Sequence, residues 1–185
     1  DIALMAEKEL LMATDYPAPL SFTSHLLPLS YHPAPHNARS PYTIHHMPHF
    51  PLNRAGEATG KLIGGNLSVL YGLQGTPYSL NKIIEQCEEA PILFIEDISE
   101  NHYHIDRMLQ NLRLSGVFEK ISGLVVGQFT DCADDVSMGC SLLESIRQIA
   151  EPYSFPILFD YPSGHIDSNY PLLFSQEYHL FVTNF

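Results

Sequence analysis

The chain has 185 residues, of which 45% are apolar, and 9 lysines and arginines against 21 aspartates and glutamates give a formal net charge of −12. This composition can build a real hydrophobic core and argues against a disordered protein. Phosphate groups and anionic membranes are recognised by clustered cations, so the acidic charge argues against nucleic-acid and membrane partners and favours small molecules, peptides or proteins.

The sequence also bears on the compartment. No run approaches the roughly 18 apolar residues of a membrane span, and residue 1 is an aspartate with no signal-like segment after it. We therefore expect a fragment or a processed chain. Cys87, Cys132 and Cys140 cannot all pair within the chain and form no CxxC motif. This pattern favours a reducing compartment, and we predict the cytoplasm.

Residues 1–50 differ from the rest of the chain. A helical pattern over residues 3–12 gives way to a stretch from Pro17 to Pro48 that is rich in proline and histidine. Each proline removes a backbone donor and restricts the residue before it, so regular elements are not expected there. We predict an irregular connector, or the remnant of an N-terminal domain, followed by a folded domain over residues 51–185. A connector of this length is expected to pack against another body or to be partly mobile.

Histidines suggest a metal site in two places. They are His45, His46 and His49 in the connector, then His102 and His104 further along. Pro48 argues against a helix that would align the first group, and no nearby cysteine or matched carboxylate completes a ligand set. The second group flanks a predicted helix start, where local polar roles are favoured. We predict no metal site.

From about residue 60, helical and strand patterns alternate. In chain order they are a short helix capped by Asn66 and closed by Gly75 and Pro77, a strand over residues 91–96, a helix near residues 103–115, a strand over residues 123–127, a helix opened by the capping box of Ser141 and Glu144 and ended by Pro152, a strand over residues 156–159, and an edge or antiparallel strand over residues 178–183. Strands that alternate with helices predict an α/β fold in which helices pack against a mixed or parallel sheet.

Two carboxylates stand where the first of the buried strands is predicted to stop. Residues 92–95 are apolar, and Glu96 and Asp97 follow them directly. One interpretation is that both acids are solvated loop residues. The other is functional, because side chains that bind ligands gather at the carboxyl ends of buried strands.

His165 occupies a similar position further along the chain. It lies in a turn after the strand predicted over residues 156–159. Taken alone, a loop histidine is more often structural or inert. A histidine oriented by a carboxylate is, however, the base half of a nucleophilic triad, so His165 and Glu96 can meet at one sheet edge as a catalytic pair.

A series of collinear motifs resembles the C-terminal domain of the LD-carboxypeptidases, which are serine peptidases that remove the terminal D-alanine from murein tetrapeptides. The motifs are residues 51–68, residues 75–77, residues 93–98, residues 105–109, residues 127–131, and Gly164-His165 followed by Asn169. The resemblance covers roughly residues 51–185, and a set of this size is far more specific than any single motif.

The resemblance implies a catalytic set of serine, glutamate and histidine in that chain order. The matching acid is Glu96 and the matching base is His165, with Asp97 as a neighbour of the acid. The resemblance also implies a two-domain enzyme with a Rossmann-like N-terminal half, an active site between the halves, and no metal or organic cofactor.

The chain departs from the family at the nucleophile. The family's serine lies in a Gly-Tyr/Phe-Ser-Asp motif of the N-terminal domain, and this sequence contains no such motif. Asp1-Ile2 resembles the residues that follow that serine, whereas Ser21, Ser24 and Ser30 lie in the irregular stretch without a strand-to-helix turn to expose them. Loss of a triad nucleophile costs roughly 10⁶ in rate, so we expect the chain alone to be nearly inactive.

A further hypothesis concerns the substrate carboxylate. Gly64, Gly65 and Asn66 can present backbone amides and a helix N-terminus to it, although a tight turn with a helix cap is the simpler interpretation.

The leading functional prediction is a serine LD-carboxypeptidase in peptidoglycan recycling. It would act on murein peptides, pair with a serine-bearing N-terminal domain and form a homodimer as its relatives do. One alternative is an immunity-type peptidase that cleaves a peptidyl-nucleotide antibiotic. Such relatives often stack the base on tryptophan, which this chain lacks. Another alternative is a non-catalytic module that keeps the fold and binds peptide.

Overall fold

The computed structural model of the protein describes residues 42–45 and 50–183, without the side chains of residues 43 and 45. All of the described residues belong to one compact unit. The predicted helix over residues 3–12, almost all of the predicted connector and the side chains of the first histidine group lie outside the described residues. Within them, the structure contains no helix with the length and apolar character that a membrane crossing requires.

The fold is built on a mixed sheet. Its six strands are β1 (Tyr42–His45), β2 (Gly56–Asn66), β3 (Ile92–Ile98), β4 (Gly123–Thr130), β5 (Ile157–Leu158) and β6 (Glu177–Val182), in the spatial order β1-β6-β2-β3-β4-β5. The pairs β2–β3, β3–β4, β4–β5 and β1–β6 are parallel, and β2–β6 is antiparallel. This confirms the predicted α/β fold with a mixed sheet.

In the described part of the chain, four α-helices accompany the sheet: α1 (Leu67–Gly72), α2 (Leu80–Ile84), α3 (His102–Leu114) and α4 (Leu142–Ile149). The predicted helical periodicity of α3 is confirmed, since its apolar stripe is buried in a core shared with the other helices and one face of β3 and β4. The predicted capping box at Ser141 and Glu144 is also confirmed, as is the cap at Asn66, whose side chain accepts from the amide of Val69.

The opposite face of β3 and β4 is covered by other strands of the same sheet. A second core forms where β6 and the first half of β2 curl over β3 and β4. At Gly123 a Cβ atom would lie 2.9 Å from Leu180 Cδ2 and 3.3 Å from Ala58 Cβ. Both faces of β3 are therefore buried, as its run of apolar residues predicts.

Several boundaries differ from the prediction. β2 was not predicted as a strand, although it pairs with β6 through its first half and with β3 through its second. The predicted strand over residues 156–159 contracts to the two residues of β5, and β3 continues through Ile98. β6 is antiparallel to β2 as predicted, but it lies between β1 and β2 and not at an edge.

β2 reaches the centre of the sheet by a close approach of backbones. Gly64 has φ +126°, and a Cβ atom there would overlap the carbonyl oxygen of Phe94 in β3. Gly65 has φ +143°, but a Cβ atom there would meet nothing within 4 Å. The two neighbouring glycines thus share an unusual backbone conformation and differ in the space beside them.

This difference yields a matched test. We expect Gly65→Ala to destabilise the fold by about 1–2 kcal/mol, because its cost is the strained backbone alone. Gly64→Ala adds a steric overlap with β3 and should cost at least about 2 kcal/mol more. Urea denaturation of both variants gives the comparison. Equal midpoints would contradict the close approach of β2 and β3.

Candidate functional site

The two carboxylates singled out in the sequence lie inside β3, near its carboxyl end. Glu96 and Asp97 are 5% and 1% exposed, so the interpretation of both as solvated loop residues is wrong. Successive residues of a strand point to opposite faces of the sheet. Glu96 shares the face of Phe94, while Asp97 faces the helices, and the two acids therefore have separate surroundings.

The pairing of β3 with β4 is irregular beside Glu96. Ile95 pairs with Val126 and Asp97 pairs with Phe129, so two residues of β4, Gly127 and Gln128, stand opposite a single residue of β3. Bulges of this kind change the direction of side chains and are frequent beside functional sites.

Glu96 is joined to His165 across a sequence separation of 69 residues. His165 Nδ1 lies 2.7 Å from Glu96 Oε2. The Glu96 side chain is 6% exposed and the His165 side chain 48% exposed. An ionised carboxylate can only accept hydrogen bonds, so this contact assigns the ring proton to Nδ1 and leaves Nε2 as the lone-pair nitrogen. Among the described residues none hydrogen-bonds Nε2.

The segment that carries His165 follows the free edge of β4 beyond β5. Tyr161 N donates to Val126 O (3.0 Å), and Gln128 N donates to Ser163 O (2.9 Å). The side chain of Gln128 adds donations to Asp160 Oδ1 (2.9 Å) and Tyr161 O (3.1 Å). Three hydrogen bonds from one β4 residue therefore hold the approach to the histidine turn.

Two glycines make room for this segment. A Cβ atom at Gly127 would lie 2.5 Å from Ser163 O and 2.7 Å from Phe94 Cζ. At Gly164, where φ is +139°, a Cβ atom would lie 3.2 Å from Glu96 Oε2. Larger residues at either position would push the turn away from the carboxylate.

Tyr161 supports the turn from beneath. Its ring is 7% exposed and meets the Tyr170 ring edge-on at 6.5 Å between centroids. Burial raises the pKa of Tyr161 to about 12, with smaller contributions from the neighbouring Tyr178 and Tyr170 hydroxyls. The phenol is therefore neutral across the physiological range, and the buried side chain packs in the second core.

Asp97 is committed to structure. Its carboxylate accepts from Asn66 Nδ2 (2.9 Å), from Ser68 N (3.0 Å) and Oγ (2.7 Å), and from Ile98 N (2.8 Å). These bonds tie the first turn of α1 to β3. Asp97 is thus a neighbour of the catalytic acid candidate with no free lone pair directed at His165.

The same bonds bear on the predicted carboxylate-binding segment. The first amides of α1 are already used, since Ser68 N donates to Asp97 and Val69 N donates to Asn66 Oδ1 (3.1 Å). Gly64 is packed against β3, and Gly65 borders open space. Substrate binding by Gly64, Gly65 and Asn66 stays a prediction, with the backbone of Gly65 as its most accessible part.

His102 and His104 take local polar roles, as predicted. The amide of Asp135 donates to His102 Nδ1 (3.3 Å), so His102 Nε2 carries the proton and donates to Ser145 Oγ (2.7 Å). His102 therefore cannot remove a proton from Ser145. His104 Nδ1 lies 2.9 Å from Glu100 Oε2. Within residues 42–45 and 50–183 no group of three or more potential ligands is arranged to hold a metal ion.

Cys132 is the cysteine that lies near the carboxyl end of β3, where its thiol accepts from Glu100 N (3.4 Å). Burial is the main cause that raises the pKa of this thiol, and the nearby acids Asp97 and Glu100 add to the effect. A thiolate nucleophile is therefore disfavoured at this position.

Sequence reasoning did not assign roles to Gln128 and Asn169, although both belong to motifs that it identified. Gln128 holds residues 160–163, and Asn169 Oδ1 accepts from Gly164 N (3.1 Å). The sequence did contain a signal for both residues. Gln128 directly follows Gly127, Asn169 follows Gly164 by five residues, and both glycines lie beside the Glu96–His165 pair. Only the folded chain shows which backbone groups they hold.

Known proteins resemble this chain in sequence and in fold. Residues 59–180 match the family of the LD-carboxypeptidase C-terminal domain. A probable murein peptide carboxypeptidase of Bacillus subtilis is 38% identical over 114 residues, which are 60% of this chain and 33% of that protein. The microcin C7 self-immunity protein MccF of Escherichia coli is 28% identical over 113 residues, which are 60% of this chain and 30% of that protein.

Among solved structures, the muramoyltetrapeptide carboxypeptidase from Oxalobacter formigenes superposes with a TM-score of 0.61 at 30% identity, covering 71% of this chain and 43% of that one. The chain thus spans about a third of the length of the curated relatives that it matches.

The contrast between the two acids of β3 is testable by isosteric substitution. We expect Asp97→Asn to lower the free energy of unfolding by about 2–3 kcal/mol, because an amide nitrogen would face donors that now meet a charged acceptor. Glu96→Gln should change stability by less than about 1 kcal/mol, since among the described residues the Glu96 side chain has a hydrogen bond only to His165, and an amide oxygen can accept that bond. Chemical denaturation measures both, and the reverse order of stability would contradict the assignment of Asp97 as structural.

Proposed function

The chain belongs to the LD-carboxypeptidase family, and from that membership we propose that Glu96 and His165 are the acid and base of a serine-type LD-carboxypeptidase that releases the terminal D-alanine of murein tetrapeptides. The observation that carries this proposal is the 2.7 Å contact between a buried carboxylate and a half-exposed imidazole. A buried acid beneath an accessible base is the arrangement that a serine nucleophile requires.

The proposed mechanism assigns the proton transfers to Nε2 of His165 and the support of the imidazolium to Glu96. His165 Nε2 takes the proton of a serine hydroxyl as the serine attacks the scissile carbonyl, and Glu96 stabilises the imidazolium through Nδ1. The same Nε2 proton then passes to the leaving D-alanine amine. His165 next removes a proton from water as the water attacks the acyl-enzyme, and Nε2 returns this proton to the serine oxygen as the tripeptide is released.

The serine in this proposal comes from an N-terminal domain. The Nε2 side of His165 is the open side of the pair, so we place the serine-bearing domain against that side. We further propose that the enzyme is a homodimer that works in peptidoglycan recycling in the cytoplasm. The three free cysteines support a reducing compartment.

The same acid and base can serve a peptidase with a peptidyl-nucleotide substrate, as the similarity to the immunity protein MccF suggests. The murein assignment is favoured because identity to the Bacillus subtilis relative is 38%, against 28% to MccF. A substrate comparison therefore belongs in any test of function.

The test joins residues 42–185, which include β1, to the serine-bearing N-terminal domain of the Bacillus subtilis relative and follows D-alanine release from murein tetrapeptide by mass spectrometry. We expect turnover by the fusion. Glu96→Gln and His165→Gln should each lower kcat by about 10³-fold or more, because members of a triad act as a unit. The 185-residue chain alone should release no measurable D-alanine.

Two controls and two alternative outcomes define the result. Ser168 lies in the same loop as His165, and the fusion that carries Ser168→Ala should retain full activity. The relative's intact enzyme, assayed in parallel, shows that the supplied domain is competent. A folded fusion that cleaves neither murein tetrapeptide nor an aminoacyl sulfamoyl nucleoside would support a non-catalytic binding module, and preferential cleavage of the nucleoside would support the immunity-type alternative.

A further inference from the structure

One hydrogen bond next to His165 involves neither His165 nor Glu96. Gly164 N donates to Asn169 Oδ1 at 3.1 Å, and Gly164 is the residue directly before His165. We propose that Asn169 is a positioning residue: by holding the Gly164 amide, it sets the turn so that His165 Nδ1 faces Glu96. The consequence for catalysis rests on the proposed function, whereas the positioning itself does not.

The turn requires such a restraint because it is built on glycine. Gly164 has φ +139°, and its missing side chain leaves room for Glu96 Oε2, which would lie 3.2 Å from a Cβ atom. Glycine makes this approach possible, but it is also the residue with the widest range of backbone conformations. The geometry that brings the carboxylate close thus removes the intrinsic stiffness of the turn.

The other bonds of the loop hold its ends. Ser163 O accepts from Gln128 N (2.9 Å), and Pro162 O accepts from Tyr170 N (2.8 Å). Between these anchors, Ile166 N donates to Gly164 O (3.1 Å), which is a bond within the turn. The bond from Gly164 to Asn169 crosses the loop inside the bond from Tyr170 to Pro162, and it holds the amide of the residue directly before His165.

His165 cannot obtain its orientation from packing. Its side chain is 48% exposed, so close contacts surround only part of the ring. A restraint on the peptide immediately before the residue therefore has a direct effect on where Nδ1 points. A misplacement of about 1 Å in a catalytic group can cost about 10²-fold in rate.

The tautomer of His165 reports this positioning without any assay of activity. In the 185-residue chain, ¹⁵N NMR at a pH where imidazoles are neutral distinguishes a proton on Nδ1 from a proton on Nε2. We expect the Nδ1–H form to dominate. In Asn169→Ala the ratio of Nδ1–H to Nε2–H should fall roughly three- to tenfold, and Gly164 amide exchange should accelerate by a similar factor, as expected for the loss of one hydrogen bond.

Two further variants separate positioning from a general loss of stability. Asn169→Asp retains an acceptor at the same position and should restore the protection of the Gly164 amide. Ser168→Ala removes a neighbouring exposed hydroxyl and should leave both readouts unchanged. The Glu96→Gln variant supplies the spectrum of His165 without its carboxylate.

The proposal is overturned if Asn169→Ala and Ser168→Ala give the same tautomer ratio and the same Gly164 exchange, or if Asn169→Asp behaves like Asn169→Ala. In the active fusion, Asn169→Ala should lower kcat with KM unchanged, and Asn169→Asp should recover it. A tautomer shift in the 185-residue chain together with a fusion that lacks turnover would retain the positioning role and remove the proposed function.

Discussion

The structure depends on the complete burial of β3. One face of this strand lies under α1 and α3 and the other lies under the curled half of the sheet. A strand in this position cannot shift its register by one residue, because every side chain would then exchange faces. Glu96 and Asp97 are therefore fixed on opposite sides, and the neighbouring irregularity in β4 leaves Gly127 and Gln128 beside Glu96.

From this constraint follows a division between two acids that are adjacent in the chain. Asp97 accepts four hydrogen bonds that join α1 to β3, so its charge is satisfied by the fold. Glu96 is equally buried but makes its bond to a single, half-exposed histidine. A buried carboxylate paired with a half-exposed histidine is a sensitive element, since the position of that histidine decides whether the charge is compensated.

The sequence predicted the elements whose signal is local. The apolar stripe of α3, the capping box at Ser141 and the apolar run of β3 each follow from spacing within one segment, and all three were predicted. β2 was missed because its glycines weaken the strand pattern, and for Gly64 the reason is the close approach of Phe94, which no local pattern reveals. The interior position of β6 was missed because β1, its second partner, comes from a stretch whose prolines argue against strands.

The candidate site was predictable in part for the same reason. Strand-end position and family motifs singled out Glu96 and His165, but their 2.7 Å contact depends on a turn folded back along β4. Glu96, the proposed acid, lies on a buried strand and His165, the proposed base, lies on a loop, and sites on loops are less exact than sites on strands. The loop therefore needs restraints on both of its sides. Gln128 supplies one from the sheet, and Asn169 supplies one from within the loop. In the proposed enzyme, the position of His165 would thus depend on two side chains whose hydrogen bonds go to the neighbouring residues of the loop and not to the imidazole.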